Sequence, residues 1–269
     1  MNKTKILNYI KKLIENVPAD WLALTTHRLD IYNEKLAKTE FLEQFEILFK
    51  NKNTKTNALS ELPTAYDYIR LGHPLSSVLE WAIAKLNYIK PKNVVSFSSR
   101  SMPVLAVLRK NLFEGKNTQI IYSGELPAFF DVDVLHRVYG YKFSLVKVEK
   151  PEDASEFNGS TIYITSQVNI GYVKLTSQID FFISTHEHLG SVLVVNGEQN
   201  ESYIREIQHV RRRETIAMTP ANCFTALKQL IGINAVDYSD SNTEENKKMV
   251  VDEIKENTHT DIKALIGSS

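Results

Sequence analysis

After Pro91 the chain alternates short β-rich runs with helical ones, and this alternation constrains the fold more than any other feature. Val94–Phe97, Gln119–Tyr122, Phe143–Val148, Thr161–Thr165 and Ser191–Val195 read as strands. Between them Pro103–Leu112, Ala128–Tyr139 and Leu175–His188 read as helices. Strand–helix alternation at this period makes βαβ units, and hence a mostly parallel sheet covered by helices on both faces. The runs VVSF, QIIY and SVLVV are nearly continuous apolar stretches, as strands buried on both sides require. Pro220–Ile231 predicts another helix, and Lys248–Ile254 a late strand or helix. Residues 1–90 have a different texture. Ile6, Ile10, Leu13 and Val17 recur at helical spacing, and Phe41, Leu42, Phe45, Leu48 and Phe49 form a second apolar stripe. A further helix is expected from Ser77 to Tyr88. The expected fold is α/β: a Rossmann-like, mostly parallel sheet in residues 91–269, with an N-terminal helical cap in residues 1–90.

Charge narrows the partners. The 269 residues carry 32 Lys+Arg against 32 Asp+Glu, a formal net charge of zero. Nucleic-acid affinity rests on phosphate neutralisation by Lys and Arg, so a polyanion is not the expected main partner. Cys223 is the only cysteine, which excludes an intrachain disulfide and a thiolate zinc cluster. Lys3, Lys5, Lys11 and Lys12 interrupt the N-terminal apolar residues, so no secretory h-region is present, and no apolar run reaches membrane-spanning length. The expectation is a cytoplasmic protein with neither nucleic-acid nor membrane partners.

In a parallel sheet, ligands bind beyond the carboxyl ends of the strands. That rule selects Ser98–Pro103, Tyr122–Glu125, Thr165–Asn169 and Asn196–Glu198. The first loop holds no glycine and no Gly-Lys-Ser/Thr ending, which disfavours NAD, FAD and ATP. S-adenosylmethionine has no phosphates and makes less demand for glycine. Its expected contacts are Ser98, Ser99, Ser101, Met102, Pro103, Tyr122, Ser123, Glu125, Thr165, Ser166 and Asn196, with Ser123 and Glu125 placed for the ribose. The same serines followed by Pro103 also read as a plain helix N-cap. Glu80 has two readings: a capping box with Ser77, or a working carboxylate beside Tyr66, Tyr68, Arg70 and His73. His186-Glu187-His188 falls at the end of a predicted helix, where His suits the dipole better than a metal. Arg211-Arg212-Arg213 reads as a solvated helix face.

Two resemblances follow from these motifs. Tyr68-Ile69-Arg70 with Pro74 and Leu79-Glu80 resembles the phosphate-holding segment of pyridoxal-phosphate lyases of cysteine and methionine metabolism. Asn196 stands where those enzymes place an aspartate, and no serine-rich segment with a Schiff-base lysine follows, so this reading implies a lysine-less relative. Tyr66, Tyr68 and Ser77-Val78-Leu79-Glu80, followed by Val94–Phe97 and Ser98–Pro103, more closely resemble nicotianamine synthase and its bacterial branch, which makes staphylopine-type metallophores.

That second resemblance implies a class I methyltransferase-like fold and transfer of the aminobutyrate group of S-adenosylmethionine to the α-amine of an amino acid such as D-histidine. Glu80 would be the general base, because an ammonium must lose its proton to attack, and Tyr68 would orient it. Arg70 and Arg100 would hold the acceptor carboxylate, with His73 and Tyr66 completing the acceptor site. The displacement needs no metal, its partner is a small-molecule amino acid, and a homodimer is compatible with it. A non-catalytic S-adenosylmethionine-binding regulator is the remaining alternative.

Overall fold

The computed structural model describes residues 3–23, 38–66, 70–126 and 130–233, so the expectation for Lys248–Ile254 lies outside the described residues. The helices are α1 (Lys3–Ile14), α2 (Thr39–Lys50), α3 (Thr56–Ser60), α4 (Pro74–Leu86), α5 (Met102–Phe113), α6 (Val132–Arg137), α7 (Ser202–Glu214) and α8 (Pro220–Leu230). Six strands, β1 (Val94–Phe97), β2 (Thr118–Ser123), β3 (Ser144–Lys147), β4 (Ser160–Ser166), β5 (Phe181–His186) and β6 (Gly190–Val195), form one sheet in the order β1-β6-β5-β4-β2-β3.

The fold is α/β with a mostly parallel sheet. β2 pairs in parallel with β3 and β4, and β4 with β5, while β6 runs antiparallel to both neighbours. Two details correct the expected Rossmann-like arrangement. The segment Leu175–His188 is not a helix: Phe181–His186 is a strand, paired with β4 on one side and β6 on the other. Leu175, Ile179 and Phe182 sit at helical spacing, yet the ladder on both sides overrides that local signal. Furthermore, β1 lies at the sheet edge, whereas a Rossmann order places the first strand centrally.

Alternation along β1 divides the core. Val94 joins the apolar cluster that contains α1, α2, α4 and α8, while Val95 and Phe97 join the one that contains α5 and α7. The N-terminal helices thus share the core of one sheet face, with Ile6, Phe45 and Trp81 packed in the same cluster as Ile121 and Tyr163. Tyr9, Phe45, Phe49 and Trp81 meet edge-on at 5.0–5.8 Å between ring centroids, with Tyr9 and Trp81 tilted at 6.4 Å. Such a cluster of rings is core packing, as the Phe/Leu stripe predicts.

The β5–β6 connection turns back within three residues, pairing His186 with Gly190. Gly190 has φ +112°, and a Cβ there would meet the Phe97 carbonyl oxygen at 2.1 Å. Only glycine allows the hairpin to lie this close to the end of β1. Among the described residues no helix is long and apolar enough to cross a membrane.

Candidate functional site

Glu80 does not stand at a helix start. α4 begins three residues before Ser77, with Pro74 in its first turn and His73 as N-cap. The His73 Nδ1 accepts from the Ser76 amide at 3.2 Å, and the Ser76 hydroxyl stands 2.9 Å from the His73 amide. Glu80 lies one and a half turns further on, fully buried. Its Oε2 accepts from Lys38 Nζ at 2.5 Å. Its Oε1 accepts from Arg211 Nη1 at 2.7 Å, from the Ser96 hydroxyl at 2.8 Å and from the Ser96 amide at 2.9 Å. Arg211 is itself fully buried and donates onward to the Ser96 carbonyl and the Tyr66 hydroxyl.

Burial alone would raise the Glu80 pKa. The charges of Lys38 and Arg211, with hydrogen bonds from Lys38 and Ser96, outweigh it and hold the carboxyl at about 2. A carboxylate so acidic and so fully engaged is a poor proton acceptor at neutral pH. Glu80 is therefore a structural anion, tying the start of α2, helix α4, strand β1 and helix α7 together. Arg211 corrects the reading of Arg211-Arg212-Arg213 as a solvated face. It continues the buried stripe of Tyr203, Ile207 and Val210 on α7, and its buried Nε finds no partner among the described residues.

The other acceptor-site residues also serve the fold. Tyr66 is buried, with its hydroxyl on Arg211. His73 accepts at Nδ1 and so donates from Nε2 to the Met218 carbonyl at 2.7 Å. Burial pushes its imidazole down to about 4, only partly opposed by the Met218 carbonyl and Glu80, so it is neutral at pH 7. Arg70 donates from Nε and Nη2 to the carbonyls of Thr215 and Arg213, closing the end of α7. Arg100 is exposed on the loop after β1. Tyr68 lies outside the described residues.

The carboxyl ends of the parallel strands do converge into a rim of hydroxyl groups. Ser98 bonds to the Ile216 carbonyl. The Ser99 hydroxyl accepts from the Met102 amide at 3.2 Å and sits 3.3 Å from Ser101, capping α5, where Pro103 occupies the first turn. Ser191 donates to the Ser99 carbonyl at 2.6 Å. On the far side Ser123 contacts the Tyr163 hydroxyl at 2.7 Å and Thr165 at 3.4 Å, while Thr185 donates to the Thr165 carbonyl. Tyr122 and Ser166 stand at the same ends of β2 and β4, and Glu125 pairs with Lys147 in solvent.

Asn196 is a correction. Because β6 runs antiparallel, its carboxyl end lies at the opposite edge of the sheet, and Asn196 donates there to the carbonyls of Thr176 and Ile179. His186, at the end of β5, accepts at Nδ1 from the amides of His188 and Leu189, which fixes the hairpin. Burial and the neighbouring His188 lower its pKa.

No family model and no curated protein matches the chain. Solved structures do. The fold is similar to metB from Corynebacterium glutamicum, at 12% identity and TM-score 0.44. It is also similar to cystathionine gamma-lyase from Lactobacillus plantarum complexed with L-serine, at 12% identity and TM-score 0.47. Each match covers 84% of this chain and 64% of the solved one, so the chain spans less than two thirds of their length.

The nicotianamine synthase resemblance does not hold: Glu80, the base it requires, is fully buried and engaged by four donors. With it go the methyltransferase-like fold, the aminobutyrate transfer, S-adenosylmethionine as co-substrate and the metallophore product. The burial of Glu80 gives the physical reason, since the base that transfer requires has no path to a substrate. Among the described residues, the strand ends do not offer the donor set that pyridoxal phosphate requires either. That cofactor needs a lysine amine free to form an imine. Among the described residues the lysine at the strand ends, Lys147, is paired with Glu125, and Lys38 is committed to Glu80.

Proposed function

We propose that the protein is non-catalytic: a lysine-less relative of the pyridoxal-phosphate lyases that keeps an α/β scaffold and binds a small polar ligand at the strand-end rim without covalent chemistry. One observation carries this reading. The rim is built from Ser98, Ser99, Ser101, Ser123, Thr165 and Thr185, neutral hydroxyls bonded to one another and to backbone. Nucleophilic catalysis requires a base beside the nucleophile, or a nucleophile of depressed pKa. These hydroxyls meet instead carbonyls, an amide hydrogen and other hydroxyls, while Glu80, the buried carboxylate of the core, is held by Lys38 and Arg211. Ordered hydroxyls remain suited to reversible hydrogen bonding of a polar ligand.

The test is to incubate the full-length protein with pyridoxal phosphate, reduce with borohydride and map lysine adducts by mass spectrometry, with cystathionine turnover followed in parallel. Expected are the absence of a Schiff-base absorption band, scattered substoichiometric adducts and no release of keto acid. A single stoichiometric lysine adduct, or turnover of cystathionine, overturns the reading.

A further inference from the structure

The end of α5, the amino ends of β2 and β3 and Phe157 border an open cavity of about 600 Å³, at the edge of the sheet opposite the hydroxyl rim. That volume lies within the range of small-molecule sites. Its wall is built rather than incidental. Asn111 on α5 and Thr118 on β2 are both nearly inaccessible, and Asn111 Nδ2 donates to Thr118 Oγ1 at 2.9 Å. Asn111 Oδ1 accepts from the Tyr203 hydroxyl at 2.6 Å. The Asn111 amide thus ties the end of α5 to the start of β2 and to α7, and holds this wall of the cavity in place.

Phe143 and Phe157 supply apolar wall. Phe143 is fixed by stacking on His136 at 4.4 Å and by an edge contact with Phe130. Phe157 lies close over Gly159, where a Cβ would stand 2.6 Å from its ring and 2.4 Å from the Asn117 carbonyl oxygen. A larger residue there would displace either the ring or the turn before β2.

The charged groups lining the cavity are Lys116 and Lys142. Lys116 is engaged with Tyr203, 3.4 Å from its hydroxyl and 5.2 Å from its ring centroid. Lys142 has no carboxylate within ion-pair distance among the described residues. The last carbonyls of α5, which would repel an anion, are already closed by the amides of Gly115 and Lys116. An apolar wall and an ammonium with no ion-pair partner among the described residues are together complementary to an amphiphilic monoanion.

We propose that this cavity is a binding site for a small organic carboxylate with a planar apolar body, its carboxylate on Lys142 and its body against Phe143 and Phe157. The site is independent of the hydroxyl rim. The experiment is calorimetric titration of the full-length protein with 3-phenylpropanoate, 3-phenylpropanamide and inorganic phosphate. The carboxylate should bind about tenfold more tightly than the amide, a charge-assisted contact being the difference, and phosphate should bind more weakly still. Lys142→Glu should remove that preference, and Phe157→Ala should weaken the carboxylate and the amide alike. Ser99→Ala, at the other edge of the sheet, should change neither. Equal binding of carboxylate and amide, phosphate binding as tight as the carboxylate, an unaffected Lys142→Glu, or no heat with any probe overturns the proposal.

Discussion

The two places where polar groups concentrate behave in opposite ways. Around Glu80 three charged side chains lie almost wholly out of solvent, while the strand-end rim is lined by neutral hydroxyls, with the Lys147–Glu125 pair beside it in solvent. Charge density would nominate the first as the working site, but geometry assigns it to the fold. Four donors saturate the carboxylate, and those donors come from three other parts of the chain. Buried ion pairs contribute little net stability when intact, because desolvation offsets attraction. Losing one partner is costly, since the rest stay buried and uncompensated.

The sharpest break of this contrast is to remove one charge. Glu80→Ala or Arg211→Met should cost about 3–5 kcal/mol in chemical unfolding, while the triple apolar replacement Lys38→Met, Glu80→Leu, Arg211→Met should recover much of it. A cost below 1 kcal/mol for the single variants would return Glu80 to the candidates for chemistry.

The second test uses pH. In the unfolded chain the His73 imidazole takes up a proton near 6.5, but in the folded protein it stays neutral down to about 4. Unfolding therefore binds a proton in this window, and stability is full above 6.5 and lost as pH falls towards 4, by up to about 3 kcal/mol. Glu80 acts at lower pH: its contribution is present above about 4.5 and fades as pH falls towards about 2. His73→Asn keeps an acceptor for the Ser76 amide and should flatten the first window alone. Denaturant melts across pH 3–7 check both slopes, and a wild-type slope surviving in His73→Asn would contradict the assignment. The smallest effect belongs to the rim, where Ser123→Ala should cost about 1 kcal/mol or less, as for one exchanged neutral hydrogen bond.

Most of the sheet was legible because strands buried on both faces leave continuous apolar runs, as in Val94–Phe97 and Ser191–Val195. One strand was not. Leu175, Ile179 and Phe182 carry helical spacing, and what makes Phe181–His186 a strand is its pairing with residues on both sides. Without β5 the reversed direction of β6 has no local signature, and Asn196 reads as lying at the same edge as the parallel strand ends. The partner of Glu80 was hidden differently. Arg211 lies 131 residues away, and one chain alone does not show which carboxylate meets which guanidinium. A local signal did exist: Arg211 falls four residues after Ile207 and one after Val210, so a cation occupies the apolar face of α7. A charge at such a position requires a buried counter-ion somewhere in the fold.

Cys223 gives the molecule a built-in reporter. Its thiol is completely enclosed, donates to the Met218 carbonyl at 3.3 Å, and is pushed well above the ordinary thiol pKa, chiefly by burial. Thiolate chemistry therefore waits for the surrounding helices to part. With one sulfur of this kind in 269 residues, the rate at which a thiol reagent labels the native protein clocks how often the core between α4 and α8 opens.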